Sequence, residues 1–160
     1  MNLELKFPEP QEMPETTGEM MESSKLVFER MKPYANINRE VFWTIYLTVK
    51  NEIIKAESCF MGTIDSSAVY PREVIRRALE LSASSMILVH NHPSGDPEPS
   101  KPDKKITLDI ALCARLFQID VLDHVVISKE RYYSMRDMGD LHPVEIKKRF
   151  DMIFENYKED

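Results

Sequence analysis

The chain has 160 residues, 42% of them hydrophobic and 30% charged, with a formal net charge of −6. That length fits one ordinary domain with a single core, and no run approaches the roughly 18 apolar residues a membrane-spanning helix needs. The acidic balance disfavours general attraction to a phosphate backbone, which depends on clustered Lys and Arg.

The N-terminus, MNLELKFPEPQEMPE, has acids and prolines where a secretory leader needs a basic start and an apolar stretch, so a cytoplasmic protein is expected. Residues 1–24 carry Pro, Glu, Met and small polar residues without apolar periodicity and are expected to form a flexible acidic tail, with a single domain over 25–160. SSKLVFERM predicts a short helix with Leu26, Val27 and Met31 on its apolar side, ending before Pro33. VFWTIYLTV, dense in β-branched and aromatic residues, predicts a strand buried on both faces, and Lys50-Asn51-Glu52 turns it into a second strand, IIKAESCFM. Gly62 to Ser67 reads as loop. Pro71 opens a helix with an apolar stripe of Val74, Ile75, Ala78 and Leu79 opposite Arg72, Arg76 and Glu80.

SMILV is a short apolar strand ending at His90, and a helix from about Lys101 to Gln118 directs Ile106, Ile110, Cys113, Ala114 and Phe117 to the core. VLDHVVIS and RYYSM are two further strands. Ile146, Phe150, Ile153 and Tyr157 fall at helical spacing in the last segment. The order α-β-β-α-β-α-β-β-α predicts an α/β sandwich around a mixed sheet. Cys59 and Cys113 form no C-x-x-C pair and read as buried thiols.

Chemistry concentrates in LVHNHPSGDPEPSKPD, residues 88 to 103. Side chains alternate along an extended chain, so His90 and His92 project to one side and can offer two imidazole nitrogens to one ion. Pro93 stops the strand, and Ser94 to Pro99 is turn chemistry that brings the chain back. Ser100-Lys101-Pro102-Asp103 is a helix start, with Ser at the cap and an acid in the first turn facing the loop. Asp103 can thus complete a three-ligand zinc site whose fourth position is left for water. A capping box accounts for Ser100 and Asp103 without metal. With only four glycines there is no phosphate-binding loop, and the literal His-Asn-His lacks the ββα surroundings of the nucleases of that name.

The spacing H-x-H, seven residues, S-x-x-D resembles the JAMM motif of the JAB1/MPN metallopeptidase superfamily. Within it the chain is similar to bacterial RadC-like proteins, once called DNA repair proteins, over roughly residues 36 to 136, notably GTIDSSAVYPREVIRRALELSASSMILVHNHPSGDPEPS and LDHVVIS. The resemblance implies a cytidine-deaminase-like α/β fold, a catalytic zinc on His90, His92 and Asp103, and hydrolysis of amide or isopeptide bonds, with Ser100 helping to hold the oxyanion. It also implies an upstream glutamate as general base: Glu40 is the first choice and Glu73 the second. Asn91 stands where Ser or Thr is usual. The 35 residues ahead of the domain are expected to leave no room for the helix-hairpin-helix region found before many RadC domains, which weakens a DNA role. Arg72, Arg76, Arg77, Lys101, Lys104 and Lys105 are the places to look for a basic face. Asp123-His124 reads either as a pair that orients a ligand or as a satisfied histidine in a buried strand, and His142 as a surface residue. The expected partner is a peptide or isopeptide substrate; the alternatives are a metal-bearing interaction module without turnover and a nucleic-acid-associated repair factor.

Overall fold

The computed structural model describes residues 18–61 and 69–155. Helix α1 (Ser24–Met31) is capped by Ser23, whose Oγ accepts from the Leu26 amide, and a 3-10 turn (Lys32–Tyr34) follows. Strands β1 (Val41–Leu47) and β2 (Ile53–Met61) form the expected hairpin, with Asn51 at φ +61° where the chain reverses. Next come α2 (Pro71–Glu80), β3 (Ser85–Asn91), α3 (Lys101–Leu116), β4 (Asp120–Ile127), β5 (Tyr132–Ser134) and α4 (Pro143–Phe154).

The sheet runs β2-β1-β3-β4-β5, parallel only between β3 and β4, which α3 connects. A parallel pair needs such a crossover, and a helix there covers one face of the sheet. Residues of β1 and β3 are buried throughout, as expected of central strands covered on both sides. On one face Trp43, Ile45, Ile87, Val89 and Val125 pack against Val27, Phe28 and Met31 of α1. On the other, Phe42, Tyr46, Leu88 and Val126 pack against Val74 and Ala78 of α2 and Ile106, Ile110 and Ala114 of α3. The α/β sandwich around a mixed sheet is thus present.

Some expectations need correction. Residues 18–23 of the expected tail are held: the Gly18 amide donates to the Ile53 carbonyl, the Ile53 amide to Glu19, the Met21 amide to Asn51, and Met21 is buried. Residues 1–17, the 62–67 loop and Tyr157 lie outside the described residues. In α1 it is Phe28 that joins Val27 and Met31 inside, while Leu26 is exposed. Leu79 is exposed because at 100° per residue it sits past the edge of the stripe centred on Val74, Ile75 and Ala78. Phe117 is exposed because α3 ends at Leu116 and Gln118 turns the chain at φ +58° before the stripe is completed. Ile153 is exposed because α4 meets the core through Ile146 alone, buries no residue, and sets Phe150 against Phe154 in a tilted ring contact. Both cysteines are half-buried rather than buried.

Candidate metal centre

His90 is the sixth residue of β3, between β1 and β4, and is fully buried. His92 stands just past the strand end, where its amide still donates to the Ile127 carbonyl at 2.8 Å. The two rings project to one side of Asn91, as the extended alternation requires. Beyond them the chain reverses, with Gly95 at φ +91° and its amide on the His92 carbonyl. His92 Nδ1 lies 2.8 Å from the Asp96 carbonyl. A carbonyl has no proton to give, so Nδ1 carries the hydrogen and, in the neutral ring, Nε2 is bare.

Asp103 closes the set from the first turn of α3 and is 3% exposed. Its Oδ2 accepts from the Ser100 amide at 2.7 Å, and the Asp103 amide donates to Ser100 Oγ at 3.2 Å. The capping box and the ligand assignment are therefore served by the same oxygen. Oδ2 is 3.5 Å from Nε2 of each histidine, and the two Nε2 atoms are 2.9 Å apart. Three donors about 2.0 Å from a tetrahedral ion stand about 3.3 Å from one another, so this triangle fits a first-row cation bound by three ligands. His90, His92 and Asp103 thus form a triad able to hold a metal ion.

The charges agree with that fit. Burial works to raise the Asp103 carboxyl, but the two histidines outweigh it and hold it far below the usual range, so it is an anion. Burial lowers His90 despite Asp103; at His92, Asp103 and the Asp96 carbonyl overcome burial and raise it.

The proposed catalytic residues occupy different surroundings. Glu40 is half-buried immediately before β1, and its charge is felt at both His90 and His92, favouring their protonated forms. Phe42, two residues after Glu40, pairs with His90 across the antiparallel β1–β3 ladder. Glu73 is held on the surface of α2 by Arg72 at 3.5 Å and Arg76 at 3.1 Å. Ser100 is exposed at the N-terminus of α3.

Two residues that the sequence did not assign to the site support it. Asn91 is fully buried: its Oδ1 accepts from the Val41 amide at 2.8 Å, and its Nδ2 donates to the carbonyls of Ile37 at 3.1 Å and Arg39 at 3.0 Å. These bonds bracket Glu40 on both sides and tie its segment to the strand that carries the ligands. Thr107, one helical turn after Asp103, donates from Oγ1 to the Asp103 carbonyl at 2.6 Å and also meets His124 Nδ1. His124 Nε2 lies 2.7 Å from His90 Nδ1. Asp123 takes no part; its carboxylate accepts from Ser134 Oγ, the Arg136 amide and the His124 amide, and burial pushes its pKa up. His142 caps α4 by accepting from the Val144 amide.

The family model for the RadC-like JAB domain matches residues 21–140, and the chain belongs to that family. It is 41% identical over 118 residues to a UPF0758 protein of Geobacillus thermodenitrificans, covering 74% of this chain and 51% of the relative. It is 44% identical over 114 residues to one from Methanosarcina acetivorans (71% and 48%), and 41% identical over 127 residues to one from Pasteurella multocida (79% and 57%). The chain thus spans about half the length of the curated relatives it matches. No helix among the described residues is long and apolar enough to cross a membrane.

Proposed function

We propose that the protein is a zinc-dependent hydrolase of peptide or isopeptide amide bonds, working in the cytoplasm. The reading rests on one observation: three ligand atoms of two histidines and a buried, ionised aspartate converge in a triangle of 2.9 to 3.5 Å. Zinc bound by His90, His92 and Asp103 would serve as a Lewis acid, activating a water and polarising the scissile carbonyl. Glu40 takes the proton from the attacking water and delivers it to the departing amine, a task the three ligands cannot share while they hold metal. Ser100 uses its hydroxyl to stabilise the oxyanion. Glu73 is already engaged by two arginines and is set aside.

A nucleic-acid role finds little support on the surface. Five of the six basic residues that stand out in the sequence face carboxylates of the same chain: Arg72 and Arg76 meet Glu73, Arg76 also meets Glu80, Arg77 meets Glu57, Lys104 meets Asp140 and Lys105 meets Asp109.

Metal analysis, combined with a panel of amide, isopeptide and DNA substrates, tests the reading. Near-stoichiometric zinc and hydrolysis of an amide or isopeptide substrate are expected, both absent in Asp103→Ala, with Glu40→Gln retaining zinc but inactive. A protein that cannot be loaded with zinc overturns the site. Zinc without turnover on the amide panel would replace the enzyme by a metal-bearing interaction module.

A further inference from the structure

We infer that His124 and Thr107 are positioning residues that fix the tautomer of His90, through a one-way chain of hydrogen bonds that runs from one metal ligand to the backbone of another. The inference rests on the metal site proposed above.

The direction of the chain follows from its last member. The Asp103 carbonyl can only accept, so the 2.6 Å contact from Thr107 Oγ1 uses the hydroxyl proton. With its proton committed, Oγ1 has only lone pairs to offer His124 Nδ1, so Nδ1 must carry a hydrogen. A neutral imidazole has one N–H, which leaves His124 Nε2 bare. That bare nitrogen faces His90 Nδ1 at 2.7 Å, and this contact is a hydrogen bond only if His90 donates. His90 Nε2 is then bare and aimed at His92 Nε2 and Asp103 Oδ2. Reversing any one link would set two hydrogens or two lone pairs against each other somewhere along the chain.

His90, His124 and Thr107 are at most 1% exposed, so water does not offer these groups alternative partners. His92 gets the same result from a single carbonyl, that of Asp96. Both imidazoles are thereby pre-set with the ligating nitrogen free. Because Thr107 and Asp103 share α3, the chain also ties the orientation of the His90 ring, on the sheet, to the helix that supplies the third ligand. Partners of this kind orient a ligand and raise its basicity, and their loss generally costs about 10-fold to 100-fold in metal affinity.

Zinc affinity, measured by competition with a chelating dye, and the histidine nitrogen spectrum of the metal-free, 15N-labelled full chain test the chain. Thr107→Val keeps the shape and removes the hydroxyl, and Thr107→Ser keeps the hydroxyl. His124→Leu removes the acceptor, while His124→Gln offers a carbonyl oxygen in its place. Affinity is expected to fall about 10-fold or more in His124→Leu and several-fold in Thr107→Val, with substantial recovery in His124→Gln and Thr107→Ser. The spectrum of the wild type should show His90 and His124 both protonated on Nδ1. Wild-type affinity in Thr107→Val and His124→Leu, or the Nε2–H tautomer at His90, would overturn the inference while leaving the metal site standing. If His124→Leu does not fold, the Thr107 pair and the spectrum decide. A wild type that takes up no zinc counts against the site, and the spectrum then judges the chain alone.

Discussion

Two buried carboxylates, Glu57 and Asp103, meet different neighbours. Glu57, 2% exposed on β2, faces the Arg77 guanidinium at 2.6 Å and 3.3 Å, with Lys55 at 3.9 Å, so its charge is balanced by the protein itself. Asp103 is equally buried, but it faces two imidazoles, of which His90 is held neutral by burial. Thr44, Tyr46 and Cys59 continue the first cluster with mutual contacts, and burial pushes the Cys59 thiol up to about 11, which leaves it unreactive. The first arrangement is closed, whereas the second gathers electron pairs around a gap. Buried charge by itself therefore says little about function; what marks a site is a charge whose natural counter-ion would have to come from outside.

The largest expected effect separates the two clusters through zinc. At free zinc 1,000 times its dissociation constant, binding to the folded state adds about 4 kcal/mol, or roughly 10 °C in Tm for a chain of this size. Asp103→Asn can still accept from the Ser100 amide, so it should leave the metal-free protein within about 1 kcal/mol of wild type while abolishing the zinc increment. A zinc-induced rise in Tm that survives in Asp103→Asn would remove the contrast.

Next in size is the closed cluster. Arg77→Met leaves the Glu57 carboxylate buried without its counter-ion and should cost about 3 kcal/mol in urea unfolding, with or without zinc. A loss that zinc repairs would mean the two clusters are one network. Asn91 provides a third point of comparison, since it lies between two ligands yet its bonds are all to backbone. Asn91→Ala strands the Val41 amide and should cost about 2 kcal/mol in the metal-free protein. Backbone hydrogen exchange should show Val41 losing protection; unchanged protection would mean that the Glu40 segment is held by other contacts.

The parts of this contrast differ in how far the sequence reveals them. The three ligands are local: alternation places His90 beside His92, and a helix cap returns Asp103 to them, so 14 residues, 90 to 103, contain the geometry. The elements are legible for the same reason, since apolar periods of 2 and 3.6 are local signals. The supports are not local. Asn91 reaches residues 37 to 41 only because β1 lies next to β3, and His124 reaches His90 only because β4 pairs in parallel on the other side. Thr107 was within reach of spacing, four residues after Asp103 on the same helix face, but its value depends on His124. The exposed Leu79, Phe117 and Ile153 show the opposite failure: apolar spacing marks a face, while helix ends and the lack of a neighbour decide whether that face is covered.

The smallest effect is in acid, in the metal-free protein. His90 and His124 are fully buried, and burial, the largest influence on each, lowers both below the ordinary histidine value of 6.5. Unfolded, each takes a proton near pH 6.5; folded, each resists it until lower pH. Below pH 6.5 the unfolded chain thus binds more protons than the folded one, and stability falls with pH by up to about 1.4 kcal/mol per unit for each group. His92 is raised, so its contribution is full below 6.5 and is lost as pH rises through its folded value. It cannot offset the loss in acid and instead trims stability on the alkaline side. Urea unfolding with chelator present should therefore show a maximum near pH 6.5 and a loss of about 1 to 2 kcal/mol by pH 5.5. His124→Gln, which has no proton to take up, should reduce that acid slope. Arg77, raised above its ordinary value chiefly by its hydrogen bond to Glu57, stays charged throughout this range and so contributes nothing to that acid slope. A flat wild-type profile across this range would mean that protons reach the buried imidazoles at no cost, and the gap around Asp103 would then be filled by a proton rather than left for a metal.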